Sequence, residues 1–471
     1  MSKTQSNMLY DTVISNGYCV GCGACASLDG SPFEVKMNKI GQYEAVMDRD
    51  AIITSDSLVE EVCPFSSRAL TEDELSKDIF SSSCAYNSRV GYYQKNYAGY
   101  VQEGNFREKG SSGGFGTWIL YELLKSGKVD YIINVQPSSS NDSSSEPLFK
   151  YTISKSIEEL QFGSKSRYYP IELSGVIDQI HKQPGKYAIV GLPCFIKSIR
   201  LLQKVDLVIA ERIKYCVGLV CGHLKSTRYA ESLAWQSGVQ PKELRFIDFR
   251  IKGPEKAANR YSTLIATSED KLITPTDQLF GTDWGMGAFK YKACDFCDDV
   301  FAETADIVLG DAWLPQYLHD GEGTNVLVIR NQEISELIDN ALNENRLVLD
   351  EISIKEVIAS QDAGLRHRKD ALSYRLSLEW KKKSWVPVKR NSLNSKISNN
   401  EKKRQDLRIK LRELSHSSFQ NALDLNDFKI YTDAITPVYR EYKVIKGSYL
   451  ERAYAFLKRV RGFIKKKISS I

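Results

Sequence analysis

Three cysteines at two-residue gaps, Cys19, Cys22 and Cys25 in Tyr-Cys-Val-Gly-Cys-Gly-Ala-Cys, with a fourth far downstream in Cys63-Pro64, constrain this chain more than any other feature. That spacing lets three thiolates converge on three corners of one iron–sulfur cube. Small Gly21, Gly23 and Ala24 let the backbone wrap close and aim amides at the sulfurs. The fourth corner needs a remote thiolate. In two-cluster ferredoxins the Cys-Pro cysteine serves the other cluster, but no second close-packed triplet exists here, so Cys63 is expected to complete the same [4Fe–4S] set. Zinc favours two Cys-x-x-Cys pairs, which is a different pattern. Disulfides are disfavoured too, because the start Met-Ser-Lys-Thr-Gln-Ser has no apolar signal core and a reducing cytoplasm is the expected location.

A chain of 471 residues, 42% hydrophobic and 26% charged, has room for a cluster-binding module plus one or two globular domains. It contains no run near the roughly 20 apolar residues that a membrane helix needs. A net charge of +5 over this length does not imply nucleic acid, and no nucleic-acid module is recognisable. The expected organisation is a cluster module over residues 1–80, a main domain over 85–390 and a charged helical tail over 391–471. In the main domain Tyr131–Val135, Tyr187–Val190, Val205–Ile209, Ile307–Leu309 and Val326–Ile329 read as buried strands. Helices are expected over Phe115–Lys125, Ile171–Gln183 and Ser226–Gln236, each stopped by glycine or by Pro184-Gly185. This alternation predicts a mixed α/β fold. Ser138–Ser145 reads as a solvated loop.

Ser111-Ser112-Gly113-Gly114, just before the helix at Phe115, is a candidate anion site. Glycines let the backbone approach a phosphate, the serines offer hydroxyls and an N-cap, and the first helical amides point at the ligand. A serine–glycine turn that merely caps the helix is the competing reading. Five further cysteines, Cys194, Cys216, Cys221, Cys294 and Cys297, fall at strand ends and loops that an α/β sheet gathers along one edge. They make a second four-cysteine site possible, with Cys194, Cys221, Cys294 and Cys297 preferred and Cys216 in reserve; a zinc knuckle on Cys294-x-x-Cys297 is the alternative. Cys84 stands alone and reads as structural.

Taken together these motifs resemble the coenzyme F420 hydrogenase/dehydrogenase beta-subunit family, which includes the plant 7-hydroxymethyl chlorophyll a reductase. The likeness is carried by Cys-Val-Gly-Cys-Gly-Ala-Cys, Ser111–Phe115, Phe162-Gly163-Ser164-Lys165, Gly191-Leu192-Pro193-Cys194, Val220-Cys221-Gly222, Cys294–Cys297 and Ala305–Trp313, and runs to about Asn391. It implies a ferredoxin-like [4Fe–4S] module, an α/β FAD-binding domain and an iron–sulfur flavoprotein oxidoreductase with one or two clusters. A redox protein such as ferredoxin would be its partner, and a small organic molecule or a coenzyme F420-like hydride carrier its substrate. Relatives lacking a hydrogenase partner often accompany polysaccharide-modifying enzymes. Flavin contacts are expected from Ser111, Ser112, Gly113, Gly114, Ser164, Lys165 and Asp311. Arg167 and His223 are weighed beside them, each against an ordinary structural role. The alternatives are an electron-transfer subunit without substrate chemistry and a zinc-stabilised protein of a glycan pathway. Leu192 stands where the family has threonine.

The carboxyl end is dense in Lys, Arg and Glu. Ile397, Leu407, Leu411 and Leu414 predict an amphipathic helix over 394–416 that packs on the body or a partner. Residues 449–471 intersperse Leu450, Phe456, Val460 and Phe463 with Arg452, Lys458, Arg461 and Lys465. That pattern suits either a docking helix or peripheral contact with the inner face of a membrane.

Overall fold

The computed structural model describes residues 8–48, 56–138, 146–253, 256–394 and 396–446. Strands β1 (Phe33–Met37) and β2 (Tyr43–Met47) form a hairpin, as do the short β3 (Ala85–Asn87) and β4 (Gly91–Tyr93). The main sheet draws β5 (Lys95–Val101), β6 (Tyr131–Pro137), β7 (Phe149–Ser154), β8 (Tyr187–Gly191) and β9 (Ile213–Leu219) from the first half of the chain. Strands β10 (Phe246–Ile251), β11 (Ser262–Ala266) and β12 (Lys271–Pro275) make a separate antiparallel sheet. Strands β13 (Ile307–Asp311), β14 (Asn325–Ile329) and β15 (Leu347–Glu351) return to the main one, whose order is β15-β5-β14-β13-β9-β8-β6-β7. Its four inner neighbours β6, β8, β9 and β13 run parallel, and both flanks pair antiparallel. The mixed α/β fold is as expected.

Alternation along these strands builds two apolar layers. Ile132, Ala188, Ile307 and Leu327 face one cluster, which the helices Phe115–Lys125 and Gln332–Asn343 cover with Trp118, Leu123, Ile334 and Ile338. Their neighbours Ile133, Ile189, Val308 and Val328 face a larger one. That second layer includes Leu9 and Val13 from the start of the chain and Phe419, Tyr431 and Tyr442 from its end, so the two terminal regions share one core with the body. Because both faces are covered, β14 is buried at every position.

Val205–Ile209 is not a strand. Pro193 opens a helix that runs to Val205, and Asp206 caps the next, Leu207–Arg212, by accepting from Val208 N at 2.9 Å and Ile209 N at 3.1 Å. The apolar run belongs to two helix ends. The expected helix over 171–183 is confined to Ser174–Lys182, and Ser226 is the residue before Thr227–Gln236. In the tail, Asn399–Leu425 is helical, Asn426 turns at φ +51° and Phe428–Lys446 returns along it. Leu407, Leu411 and Phe419 are buried. Of the Ser138–Ser145 loop only Ser138 is described, and the basic segment 449–471 lies outside the described residues. No described helix is long and apolar enough to cross a membrane.

Candidate functional site

Cys19, Cys22, Cys25 and Cys63 line one pocket. The local fold explains the convergence. Gly21 and Gly23 sit at φ +66° and +87°, and a β-carbon on Gly21 would lie 2.4 Å from the Tyr43 carbonyl oxygen, so only glycine lets the loop press against the β1–β2 hairpin. The amides of Gly21 and Ala45 each point at Cys19 Sγ from 3.4 Å. Apolar side chains make the remaining wall, among them Leu9, Val13, Val20 and Phe65. Burial pushes the Cys22 thiol up to about 11 and raises Cys19, Cys25 and Cys63 as well. Raised in this way, the four thiols stay protonated at neutral pH.

Cys194, Cys221, Cys294 and Cys297, the preferred second set, line another pocket. Cys194 follows β8 at the start of the helix Pro193–Val205, and Cys221 follows β9, so the carboxyl edge of the parallel strands supplies two of the four. The Cys294–Cys297 turn supplies the others. Val20 and Phe65 line both cavities, so the two sets share a wall. Cys216, held in reserve, does not line it; its buried thiol faces Arg200 and Asp306. Cys84 donates to Arg330 O at 3.2 Å, in keeping with a structural role.

The surroundings of the two sets differ in charge. At the second, the fully buried Arg368 donates to Cys297 Sγ, to the carbonyls of Cys297 (2.8 Å) and Gly222 (2.6 Å), and holds the Cys221 and Cys294 thiols lower than burial alone would. Leu224 N donates to Cys294 Sγ at 3.2 Å. Lys225, Lys290, Arg375 and Arg412 are buried nearby around the buried carboxylate of Asp295, to which Lys290 and Arg412 donate, and Arg412 also donates to the exposed Glu413. Burial pushes the Lys290 ammonium down to about 7. Among the described residues no three His, Cys, Asp or Glu side chains are gathered as one metal ion would require.

The serine–glycine turn is built differently from a serine cap. Gly114, at φ +92°, is the residue before the helix, and Asn325 Oδ1 accepts from Phe115 N at 3.3 Å. Ser111 Oγ accepts from Ser166 N at 2.9 Å, and Ser112 Oγ donates to Thr324 O at 3.2 Å. The cap is absent because both hydroxyls tie the turn to neighbouring loops. Lys252 Nζ reaches Ser112 O at 3.2 Å, Lys165 pairs with Asp248 at 3.5 Å, and Asp311 is held by Arg250 at 2.7 Å. Several buried polar atoms in this region have no protein partner: Ser164 Oγ, Arg167 Nε and Nη1, Arg250 Nε and His223 Nε2. Burial lowers the Arg167 guanidinium to about 10. His223, next to Cys221-Gly222, stacks on Trp284 at 4.4 Å, Trp284 contacts Tyr168 at 4.8 Å, and Tyr168 feels Arg250 and Asp311. An aromatic strip therefore runs from the second cysteine set toward the Ser111–Ser166 contact. Arg368, Arg250 and Trp284 have no signal in the sequence beyond their residue type.

Models of the N-terminal and C-terminal parts of the coenzyme F420 hydrogenase/dehydrogenase beta subunit match residues 96–178 and 185–355, together more than half of the chain. The chain belongs to this family, as its motifs led us to expect. The coenzyme F420-dependent sulfite reductase of Methanocaldococcus jannaschii is 23% identical over 348 residues, covering 70% of this chain and 47% of that protein. The chain thus spans about half the length of that relative. A chain of the F420-reducing [NiFe] hydrogenase complex from Methanosarcina barkeri superposes with a TM-score of 0.48 at 14% identity, covering 65% of this chain and 98% of that one. The first cysteine set precedes the matched segments, and Arg368, Arg375 and Arg412 follow them.

Proposed function

We propose that the chain is an iron–sulfur flavoprotein oxidoreductase. In this reading it passes electrons between a one-electron donor such as ferredoxin and an organic substrate or coenzyme F420-like hydride carrier, through two [4Fe–4S] clusters and FAD. The organic substrates include intermediates of polysaccharide biosynthesis. When bound, a cluster supplies one electron per step and the flavin ring one or two, which is what coupling the two chemistries needs. The observation that carries the reading is the pair of four-cysteine cavities sharing Val20 and Phe65. Thiols standing around a space suit a cube with an iron at each corner better than a single zinc. The buried cations beside Cys221, Cys294 and Cys297 suit an anionic group there, since buried charge is costly unless countered.

Residues 1–80 would hold the first cluster and 85–390 the second with the flavin, while the described part of 391–471 buttresses the Cys294–Cys297 turn through Arg412. The unpartnered Ser164, Arg167, Arg250 and His223 atoms, with the Ser111–Gly114 turn and Lys165, fit a flavin carrying phosphates: donors for its oxygens and cations for its charge. Asp311, already engaged by Arg250, would act through that arginine. Protein purified without oxygen and loaded with FAD should bleach with dithionite and recover its flavin absorbance with the right acceptor. Iron without flavin would leave the second reading, an electron-transfer subunit, which the family's definition on beta subunits favours. Peripheral membrane contact through 449–471 rests on residues outside those described.

A further inference from the structure

The two cysteine sets differ most in the charge around them, and that difference bears on direction. At the first, the charged side chain that weighs most on Cys19 is the Glu44 carboxylate, and Cys22, Cys25 and Cys63 feel chiefly one another. The rest of that wall is apolar. At the second, Arg368, Lys225, Lys290, Arg375 and Arg412 are all at least nine-tenths buried around one buried carboxylate, Asp295. Arg412 also meets the exposed Glu413 at 2.6 Å, and burial lowers the Lys225 and Lys290 ammoniums, so the three arginines carry most of the positive charge. The buried acids beyond Cys297, with Glu72 beside them, do not cancel this excess. Asp298, Asp299, Glu303 and Glu72 are themselves met by Lys197, Arg330, Lys369, Lys389 and Arg390.

A four-thiolate cluster gains one negative charge on reduction. Buried cations therefore favour its reduced form, and apolar walls without cations disfavour it. We infer that the cationic group centred on Arg368 sets the second cluster at a higher reduction potential than the first, so that an electron entering at Cys19, Cys22, Cys25 and Cys63 settles on the Cys194, Cys221, Cys294 and Cys297 side. The transfer balances within the chain: the first site is oxidised by one electron and the second reduced by one, the electron having come from an external one-electron reductant. Three of the five cations, Arg368, Arg375 and Arg412, lie beyond residue 355, outside the segments that match the family. The chain beyond residue 355 thus does more than close the core. Arg368 acts as a positioning residue whose fixed charge and hydrogen bond to Cys297 Sγ bias the electron's resting place.

This inference rests on both sets carrying clusters, so iron and sulfide are counted first, in the wild-type full chain. A redox titration followed by EPR then gives two midpoints, assigned with the Cys63→Ser variant, in which only the second site is complete. The second midpoint is expected to lie above the first by at least tenfold in reduced-to-oxidised ratio, about 59 mV for a one-electron couple. Arg368→Gln should lower the second midpoint by a comparable amount and leave the first unchanged, and Arg368→Lys should restore most of the loss. Should Arg368→Gln fail to retain its second cluster, Arg412→Gln, which removes a guanidinium that touches no cysteine sulfur, decides by a downward shift of the second midpoint alone. Two full clusters with the first midpoint higher, or with a second midpoint indifferent to these charges, would overturn the inference. Fewer than two clusters in the wild type would instead overturn the reading on which it rests.

Discussion

Gly21 shows how a single hydrogen in place of a methyl decides the first site. Its positive φ and the Tyr43 carbonyl 2.4 Å from where a β-carbon would stand leave no room for alanine. Gly21→Ala should therefore cost the first site its iron, about half of the total, while a signal from the second persists in EPR. His416 offers a test of a different kind. Burial holds its imidazole down to about 4, between Lys290 O at 3.2 Å and Gln42. The unfolded chain binds this proton near pH 6.5 and the folded chain resists it, so the stability owed to neutral His416 is complete above pH 6.5 and drains away as pH falls towards 4. Between pH 7 and pH 5 the wild type should lose about 2 kcal/mol more than His416→Gln in denaturant unfolding, at 1.36 kcal/mol per pH unit. At this scale the cysteines were legible because their spacing is a ligand pattern in itself. Arg368 and Arg412 were not: an arginine on a helix looks solvent-facing until the tertiary fold buries it.

Among elements, the helix Asn399–Leu425 is tied to the Cys294–Cys297 turn by Arg412, whose Nη1 donates to Asp295 Oδ2 at 2.6 Å in a buried setting. Arg412→Leu leaves that carboxylate with Lys290 alone as an ion-paired donor at short range, and removing one partner of such a pair costs roughly 3–5 kcal/mol. Thermal unfolding of the variant should show a destabilisation near the lower end of that range, because Lys290 remains. The helix Leu207–Arg212 depends on Asp206, which also meets His181 at 2.6 Å. Asp206→Ala should lower stability by about 1–2 kcal/mol, measured by urea unfolding. This same residue explains why Val205–Ile209 differs from the expected strand: four apolar residues in a run of five suit a strand, and only the Asp206 cap and the upstream proline turn it into two helix ends. A longer element such as Phe115–Lys125 was legible because its periodicity spans eleven residues and ends on the Gly127 stop.

Over the whole molecule, the terminal regions meet in one apolar layer beneath the main sheet, with Leu9 and Val13 in the same core as Phe419 and Tyr431. Sequence periodicity marks each piece as apolar on one side but says nothing of which pieces share a layer, which is why the mutual approach of the two cysteine sets was not readable beforehand. Their common wall of Val20 and Phe65 makes a whole-chain prediction. If both sites carry reduced clusters, their EPR signals should show mutual spin coupling, and Phe65→Ala should alter its relaxation without changing the iron count. Both cysteine sets must be cluster sites for electrons to move in this way. Iron, acid-labile sulfide and zinc measured on protein purified without oxygen test that directly. The expected result is roughly eight irons and eight sulfides per chain; a colourless protein with zinc and no iron would contradict it.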